Sequence, residues 1–320
     1  MKITVIGCGR WGSCIAWYLD KIGHNVTLYG RKTSKNMQEF LSTRSNGVIK
    51  LSDTTKLKTS LSDIENADAI VISINSQGLN SLMQELKAYN LKNKIFILCM
   101  KGIDIETKKR LSEIVEQNTD ASNKVAVWLG PGHVQEFYSG IPNCMVIDSN
   151  DEKTKEILVS GFSSDLIRFY YGEDLIGNEI GAAAKNVIGI AAGMLDGYKL
   201  STLKGTLMSR GTREIARLIK AMGGNELSAY GLCHLGDYEA TVFSKYSHNR
   251  KFGECVITGE KYESLAEGYY TAKALKALGE KYNVDLPICN AVYAVLYENA
   301  TPKKTLDELF ARSLKNEFYK

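Results

Sequence analysis

A single lysine stands in a run of small and apolar residues, GAAAKNVIGIAAG at positions 181–193. On a helical period of about 3.6 residues, Gly181, Ile188 and Gly189 share the face of this lysine, Lys185. Interior glycines cost a helix about 1 kcal/mol each relative to alanine, so we expect the space beside the ammonium group to serve a purpose. A desolvated lysine has a lowered pKa and can exchange a proton with a substrate oxygen. A snorkelling lysine or a close helix contact is the structural alternative.

A glycine-rich turn, GCGRWG, directly follows the first strand pattern of the chain. In a dinucleotide-binding turn, Gly7 would permit the sharp bend and Gly9 would let the backbone approach a pyrophosphate. Gly12 would let the following helix pack closely on the strand. The pyrophosphate would lie at the helix N-terminus, where unpaired N–H groups and the helix dipole favour an anion. The position of this motif between a strand and a helix predicts a dinucleotide site.

The end of the second strand pattern, NVTLYG, bears on which nucleotide binds. A carboxylate there would accept a hydrogen bond from the ribose 2′-hydroxyl of NAD. The sequence continues instead with Arg31 and Lys32. Two cations and no acid favour the 2′-phosphate of NADP(H). An arginine can also stack on adenine, which leaves NAD(H) as the alternative.

Composition and charge restrict the class of protein. The chain has 320 residues, of which 44% are hydrophobic and 24% charged, and a net charge of +4. This charge is too small and scattered to indicate a nucleic-acid surface, and no apolar run approaches the ~20 residues of a membrane span. The seven cysteines and four histidines lack the spacing of a disulfide framework or a metal site. The N-terminus shows no signal-peptide pattern, so we expect a cytoplasmic protein without a bound metal.

Strand and helix patterns divide the chain into two parts. The first alternates β-branched runs with amphipathic segments, which is typical of βαβ units and a mostly parallel sheet. Its strand candidates are KITVIG, NVTLYG, AIVISI, IFILCM, KVAVWLG, NCMVID and LIRFYY. The second part is dominated by helical patterns, at 179–195, 203–222, 262–281 and 287–298. We predict an α/β Rossmann-type dinucleotide-binding domain over residues 1–176 and an all-α substrate domain over residues 177–320.

Eight short motifs together carry a resemblance to a known family. They are GCGRWG, Met100-Lys101-Gly102, Leu129-Gly130-Pro131, Ala184-Lys185-Asn186-Val187, Ser209-Arg210-Gly211, Leu235-Gly236-Asp237, Ser247-His248-Asn249 and Ala266-Glu267-Gly268. With these in register, the sequence resembles the soluble NAD(P)-dependent glycerol-3-phosphate dehydrogenases over nearly its whole length. The resemblance implies interconversion of sn-glycerol 3-phosphate and dihydroxyacetone phosphate. It also implies a small phosphorylated substrate, a homodimer and a role in phospholipid synthesis.

The resemblance assigns roles to three charged residues. Lys185 matches the family's catalytic lysine, which donates a proton to the ketone oxygen in reduction and accepts it in oxidation. Lys101 matches a second substrate lysine, which could polarise the same oxygen or keep the pKa of the lysine pair low. Asp237 matches a residue that contacts substrate and could orient Lys185, although a helix N-cap would also explain it.

Further site residues follow from the resemblance alone. The implied substrate-binding residues are Lys101, Gly130, Gly132, Lys185, Asp237, Ser247, His248 and Asn249. The implied cofactor-binding residues are Gly7, Gly9, Arg10, Trp11, Gly12, Arg31, Lys101, Val134, His248, Leu265 and Glu267.

Three departures from the family pattern bear on the substrate. His248 replaces the arginine of a Ser-Arg-Asn motif that grips the substrate phosphate, and Arg250 could compensate only in part. Gly132 and His133 replace a hydroxyl residue and an apolar ring. His234 replaces a glycine before the Leu-Gly-Asp motif. All three are expected beside the substrate pocket.

Alternative functions therefore stay open. A divergent member could reduce another phosphorylated keto-sugar or polyol phosphate. A β-hydroxy-acid dehydrogenase is disfavoured, because such enzymes place Asn one turn after the lysine, where Gly189 stands here. A catalytically silent NADP-binding sensor is disfavoured by retention of Lys101, Lys185, Asp237 and Asn249 together.

Overall fold

The strands of the described part of the chain form one sheet. The computed structural model describes residues 1–314 and 316–317, so residues 315 and 318–320 of the predicted second domain lie outside it. The eight strands are β1 (Lys2–Ile6), β2 (Asn25–Tyr29), β3 (Lys56–Lys58), β4 (Ala69–Ile72), β5 (Ile95–Leu98), β6 (Lys124–Leu129), β7 (Asn143–Ser149) and β8 (Ile167–Tyr171). Their order in space is β3-β2-β1-β4-β5-β6-β7-β8. All neighbours are parallel except β6 and β7, which are antiparallel.

All seven predicted strands are present, and the predicted mostly parallel sheet is confirmed. The eighth, β3, was not predicted. Its three residues, Lys-Leu-Lys, offer one apolar side chain and two exposed lysines. Such a short edge strand has too little hydrophobic pattern to be recognised.

The helices cover both faces of the sheet and then form the second half of the chain. Those of the first half are α1 (Arg10–Lys21), α2 (Lys35–Thr43), α3 (Leu79–Leu86), α4 (Leu111–Asn118), α5 (Val134–Tyr138) and α6 (Glu152–Phe162). Those of the second half are α7 (Leu175–Gly197), α8 (Lys204–Ala221), α9 (His248–Thr258), α10 (Glu267–Lys281), α11 (Pro287–Tyr297) and α12 (Pro302–Phe310). The predicted fold class, a Rossmann-type α/β part followed by a helical part, is confirmed.

Two helices of the second half were missed, and a third is shorter than predicted. The sequence patterns did not identify α9 or α12, and α10 begins at Glu267 although the pattern extended back to residue 262. None of the helices in the described part of the chain is long and apolar enough to cross a membrane.

Successive side chains of each strand point to opposite faces of the sheet, so the core around the sheet has two layers. In β1, Ile3 and Val5 belong to the cluster that includes Ile15 and Leu19 of α1, whereas Ile6 belongs to the cluster on the opposite face. This is the period-two pattern of a sheet covered on both faces.

Helix α7 joins the two halves. The side chain of Asp174 caps its N-terminus by accepting a hydrogen bond from Gly177 N at 3.0 Å. Asp174 also accepts from Ser228 Oγ at 2.6 Å, which ties the start of the helix to the second half. The 23-residue helix is buried along most of its length and carries Lys185 past the carboxyl edge of the sheet.

Candidate active site

The carboxyl ends of the strands and the helical half enclose a cleft of about 820 Å³. Open α/β sheets bind ligands at this edge. Most of the residues assigned by sequence line the cleft: Gly7, Gly9, Arg10, Trp11, Gly12, Arg31, Lys101, Gly132, Val134, Lys185, Asp237, Ser247, His248, Asn249, Leu265 and Glu267. Gly130 contributes through its carbonyl, which accepts a hydrogen bond from Lys101.

The glycine-rich turn has the geometry of a phosphate cradle. Gly7 has a φ of +115°, and a Cβ there would lie 2.1 Å from the Ser73 carbonyl oxygen. A Cβ at Gly12 would lie 2.0 Å from Gly7 O, so strand and helix approach too closely for a side chain. Gly9, immediately before α1, has open space in that direction. These residues therefore fit a pyrophosphate at the helix N-terminus.

Arg31 is separated from the end of β2 by one residue and lies at the nucleotide end of the cleft. The other lining residues from this segment are Gly30, Ser34 and Asn36, and none of them is acidic. The segment therefore carries a cation and hydrogen-bonding groups where a carboxylate would contact a ribose 2′-hydroxyl.

One carboxylate oxygen binds both predicted site lysines. Asp237 Oδ2 accepts from Lys101 Nζ at 2.6 Å and lies 3.0 Å from Lys185 Nζ. Lys101 also donates to Gly130 O at 2.6 Å, and Lys185 donates to Thr241 Oγ1 at 2.8 Å. Asp237 is almost completely buried, so this ion-paired cluster lies in a largely desolvated environment.

Desolvation dominates the titration of Lys185. Burial and, to a smaller degree, the charge of Lys101 lower its pKa, while Asp237 opposes the shift, and the resulting pKa is about 8. An ammonium group with this pKa can release and recover a proton near neutral pH.

A side-chain amide network supports the lysines from the helical half. Asn186 Nδ2 donates to Lys101 O at 2.9 Å, and its Oδ1 accepts from Asn249 Nδ2 at 3.0 Å. Asn249 Oδ1 accepts in turn from Gly268 N at 2.8 Å. The predicted site residue Asn249 is therefore linked through Asn186 to the segment after β5 that carries Lys101.

Comparisons with known proteins agree with this arrangement. The family model described as NAD-dependent glycerol-3-phosphate dehydrogenase N-terminus matches residues 2–155, and its C-terminus counterpart matches residues 174–307. The chain belongs to the NAD-dependent glycerol-3-phosphate dehydrogenases.

Relatives and solved structures of this family cover almost the whole chain. A glycerol-3-phosphate dehydrogenase (NAD(P)+) of Fusobacterium nucleatum is 35% identical over 99% of this chain and 98% of its own length. One from Thermotoga sp. is also 35% identical, over 100% of this chain and 99% of its own. The crystal structure of a glycerol-3-phosphate dehydrogenase from Coxiella burnetii has a TM-score of 0.92 at 26% identity, covering 97% of this chain and 99% of that one.

His248, the departure from the implied Ser-Arg-Asn motif, lies at the edge of the cleft between two polar side chains. His248 Nε2 is 3.2 Å from Arg10 Nη1, and Nδ1 is 2.8 Å from Tyr262 Oη. Desolvation and the neighbouring Arg10 charge lower the pKa of His248 below its usual range. The sequence predicted a pH-dependent positive charge at His248. With the lowered pKa, this imidazole is mostly neutral at pH 7, and Arg10 supplies the permanent charge beside it.

Arg250 does not compensate for this histidine. It is absent from the cleft lining, and its Nε donates to Asp196 Oδ2 at 2.6 Å. The same carboxylate oxygen binds Lys204 at 2.7 Å. Because Asp196 lies 54 residues away in sequence, the motif gave no indication of this ion pair.

Gly132 and His133 do line the cleft. Gly132 has a φ of +141°, and a Cβ there would lie 2.2 Å from the ring of Phe137, so a side chain at this position requires Phe137 to move. The His133 ring packs edge-on against Tyr246, with centroids 5.4 Å apart. Burial lowers the pKa of His133. Where the resemblance implies a hydroxyl group and an apolar ring, the cleft has bare backbone and an imidazole with a lowered pKa.

The expectation that His234 lies beside the pocket is wrong. The residue is fully buried behind Asp237 and is not part of the cleft lining. Its Nδ1 is 2.8 Å from Gly181 O, and its Nε2 is 2.7 Å from Tyr238 Oη. Burial lowers its pKa to about 4. His234 therefore joins the Asp237 turn to helix α7 as a neutral side chain.

The space beside Gly181 and Gly189, on the Lys185 face, is filled by packed side chains. A Cβ at Gly181 would lie 3.0 Å from His234 Cβ, and one at Gly189 would lie 2.7 Å from Thr241 Cγ2. These glycines allow close packing on α7, which was the structural alternative for the pattern. Lys185 reaches the cleft beside this packed surface.

Thr241 and Tyr246 are among the residues of the cleft region that were not predicted from the sequence. Thr241 binds Lys185 and also donates to Asp237 O at 2.8 Å, and Tyr246 lines the cleft against His133. The spacing of four residues between Asp237 and Thr241 was the available signal for Thr241. Tyr246, an aromatic residue in a polar segment, offered none.

Proposed function

We propose that this chain interconverts sn-glycerol 3-phosphate and dihydroxyacetone phosphate by hydride transfer with NAD(P)(H). The observation that carries the proposal is the shared oxygen of Asp237, which holds Lys101 and Lys185 2.6 and 3.0 Å away at the edge of the sheet. The glycine cradle that fits a dinucleotide opens into the same cleft. When bound there, the reduced nicotinamide supplies the hydride to the ketone carbon.

Lys185 and Lys101 have different roles in this proposal. In reduction, Lys185 Nζ donates a proton to the oxygen on which negative charge develops, and in oxidation the neutral amine accepts that proton. Lys101 stabilises the oxygen electrostatically. Asp237 holds both ammonium groups in position, and Thr241 fixes the direction of Lys185.

The substrate phosphate is proposed to bind where α9 begins. Ser247 caps this helix by accepting from Arg250 N at 3.3 Å, and His248 and Asn249 follow in its first turn. The helix N-terminus favours an anion. Arg10 supplies the fixed positive charge next to His248.

NADP(H) is the proposed cofactor because Arg31 and Lys32 follow β2 and the segment from residue 30 to 36 contains no acidic residue. We further propose a cytoplasmic homodimer, with a domain boundary between residues 176 and 177. The seven reduced cysteines agree with the compartment. Light scattering on the purified protein tests the oligomeric state.

A panel of phosphorylated ketones, assayed by initial rates with NADH and NADPH, tests the reaction. We expect dihydroxyacetone phosphate to have the highest kcat/KM and Lys185→Met to lower kcat at least about a hundredfold on every active substrate. A different ketone with a higher kcat/KM would favour the second candidate, a divergent enzyme for another phosphorylated keto-sugar or polyol. The neutral His248 and the altered Gly132-His133 segment are the observations that favour this alternative.

A further inference from the structure

The Ser209-Arg210-Gly211 motif lies outside the cleft. Gly211 faces α7, since a Cβ there would lie 2.8 Å from Ile188 Cδ1 and 3.4 Å from Tyr238 Oη. Arg210, the residue before it on α8, lines a second cavity. The proposed reaction therefore gives Arg210 no role.

This second cavity is enclosed by α7, α8, α11 and α12. Its volume is about 470 Å³, which lies in the range of small-molecule sites. Most of its wall is aliphatic, including Leu195, Leu207, Ile288, Val292 and Leu306. It shares no lining residue with the catalytic cleft.

The carboxylates of this cavity already have partners. Both oxygens of Glu214 accept from the backbone of α11, from Cys289 N and Ile288 N at 2.9 Å each. Burial raises the pKa of Glu214. Asp285 pairs with Arg312, and its carbonyl accepts from Arg217 at 2.8 Å.

Arg210 differs from these carboxylates in its hydrogen bonding. Within residues 1–314 and 316–317 it forms neither an ion pair nor a hydrogen bond. Among the described residues, this half-buried guanidinium has no anionic partner, and it lies at an aliphatic wall where it can bind an anion. Guanidinium groups bind carboxylates and phosphates through paired, charge-assisted hydrogen bonds.

We propose that the cavity binds a single-chain amphiphile with an anionic head, a carboxylate or a phosphate. The head pairs with Arg210, and the aliphatic chain lies among the leucine and isoleucine side chains between α8 and α12. Burial of the chain supplies affinity through apolar area removed from water. The guanidinium selects the charge of the head.

Calorimetric titration of the whole protein with four ten-carbon probes below their micellar concentrations tests this. Decanoate and decyl phosphate are the two anionic heads, decanol is neutral and decyltrimethylammonium is cationic. We expect an anionic probe to bind with a stoichiometry of one per chain. The neutral and cationic probes should bind at least about tenfold more weakly, because they lack the charge-assisted hydrogen bond to Arg210. The tighter of the two anions identifies the head group. Equal binding of all four probes, or no binding of either anion, would overturn the proposal.

Three variants locate the site. Arg210→Gln should weaken the anions about tenfold or more and leave decanol unchanged. Arg213→Gln, which removes a cation from the same helix outside the cavity lining, should bind like the wild type. Ala291→Phe, which fills the cavity, should weaken every probe. NADPH titration of each variant verifies that it is folded, and unchanged anion binding in folded Arg210→Gln would contradict the assignment.

Discussion

Asp237 shares one oxygen between two lysines, and this arrangement determines how the proposed acid can titrate. Burial and Lys101 favour the neutral amine of Lys185, and Asp237 favours its ammonium form. Since the desolvation effect is the largest, the pKa of Lys185 falls to about 8 and does not return to its ordinary value. Both protonation states needed for a reversible reaction are then populated near neutral pH.

The first prediction concerns this titration. Ketone reduction requires the ammonium form, so kcat for reduction should be level below about pH 8 and fall above it. Alcohol oxidation requires the amine, so its kcat should rise through the same range. Rate measurements in both directions from pH 6 to pH 10 check the two opposite limbs. If kcat changed with pH in the same direction for both reactions, a single lysine could not be both proton donor and proton acceptor.

Two substitutions separate the proton from the charge of Lys185. Lys185→Met and Lys185→Arg should both lower kcat at least about a hundredfold, because arginine keeps the charge but does not release the proton. NADPH binding should stay within about threefold of the wild type. Near-normal turnover in Lys185→Arg would mean that the lysine acts only as a fixed charge.

A second prediction concerns the substrate phosphate. Since the pKa of His248 is lowered, its charge should contribute little at pH 7, whereas Arg10 is permanently charged. Arg10→Gln should raise KM for dihydroxyacetone phosphate about tenfold or more, and His248→Gln by less than about threefold. The KM ratio of wild type to His248→Gln, measured from pH 6 to pH 8, removes the titration of the substrate itself. If this KM ratio changed with pH as an imidazole titrates, the proposal that His248 is neutral at pH 7 would be wrong.

The nucleotide preference gives a third prediction. Arg31→Glu removes the proposed partner of the 2′-phosphate and supplies an acceptor for a 2′-hydroxyl. The ratio of kcat/KM for NADPH over NADH should fall about tenfold or more. Lys35→Glu makes the same charge change in α2 outside the cleft lining and should leave the ratio unchanged. A ratio that stays constant in Arg31→Glu would assign that side chain another role.

Glycines also allow helices α7 and α9 to pack closely against each other. Helices α7 and α9 touch through their backbones, since a Cβ at Gly193 would lie 1.8 Å from Arg250 O and one at Gly253 would lie 2.0 Å from Ile190 O. This close approach holds the first turn of α9, with His248 and Asn249, against the helix that carries Lys185. The element contact thereby links the proposed phosphate site to the proposed acid.

A fourth prediction tests this contact. Gly193→Ala should lower the free energy of unfolding by about 1–3 kcal/mol through overpacking and should also raise KM for dihydroxyacetone phosphate. Gly205→Ala is the matched control, because that helical glycine has nothing within 4 Å of an added Cβ. The control should be neutral or stabilising by up to about 1 kcal/mol. Chemical denaturation of both variants checks the difference, and equal stabilities would contradict the backbone contact.

The sequence was sufficient to predict the elements that have strong periodic patterns. The seven longer strands and the glycine-rich turn have hydrophobic or conformational signals within a few residues of one another. Helix α9 was missed because its first turn, Ser-His-Asn, was interpreted only as a binding motif, although Ser247 is also its N-cap. Contacts between distant residues leave no such local signal. The pairing of Arg250 with Asp196 and the burial of His234 could therefore not be read from their motifs.

At the scale of the whole molecule, α7 takes part in three separate hydrophobic clusters. Ala182 belongs to the cluster on one face of the sheet, Ile190 to the core of the helical half, and Ala192 to a smaller cluster with Leu207 and Tyr238. A helix shared in this way cannot leave one core without disturbing the others. The two halves should therefore lose their structure in one cooperative step.

This sharing has a consequence for hydrogen–deuterium exchange. The backbone amides in the middle of α7, around Lys185, should exchange only when the entire chain unfolds, because no smaller opening exposes them. Their protection should equal the global free energy of unfolding measured with denaturant, whereas amides of α12 at the edge of the helical half should exchange through local opening. Mass-spectrometric exchange across a denaturant series checks this. If α7 amides exchanged with a lower free energy than the sheet, the helical half would open independently, and the reactive lysine would be exposed to water while the nucleotide-binding half remained folded.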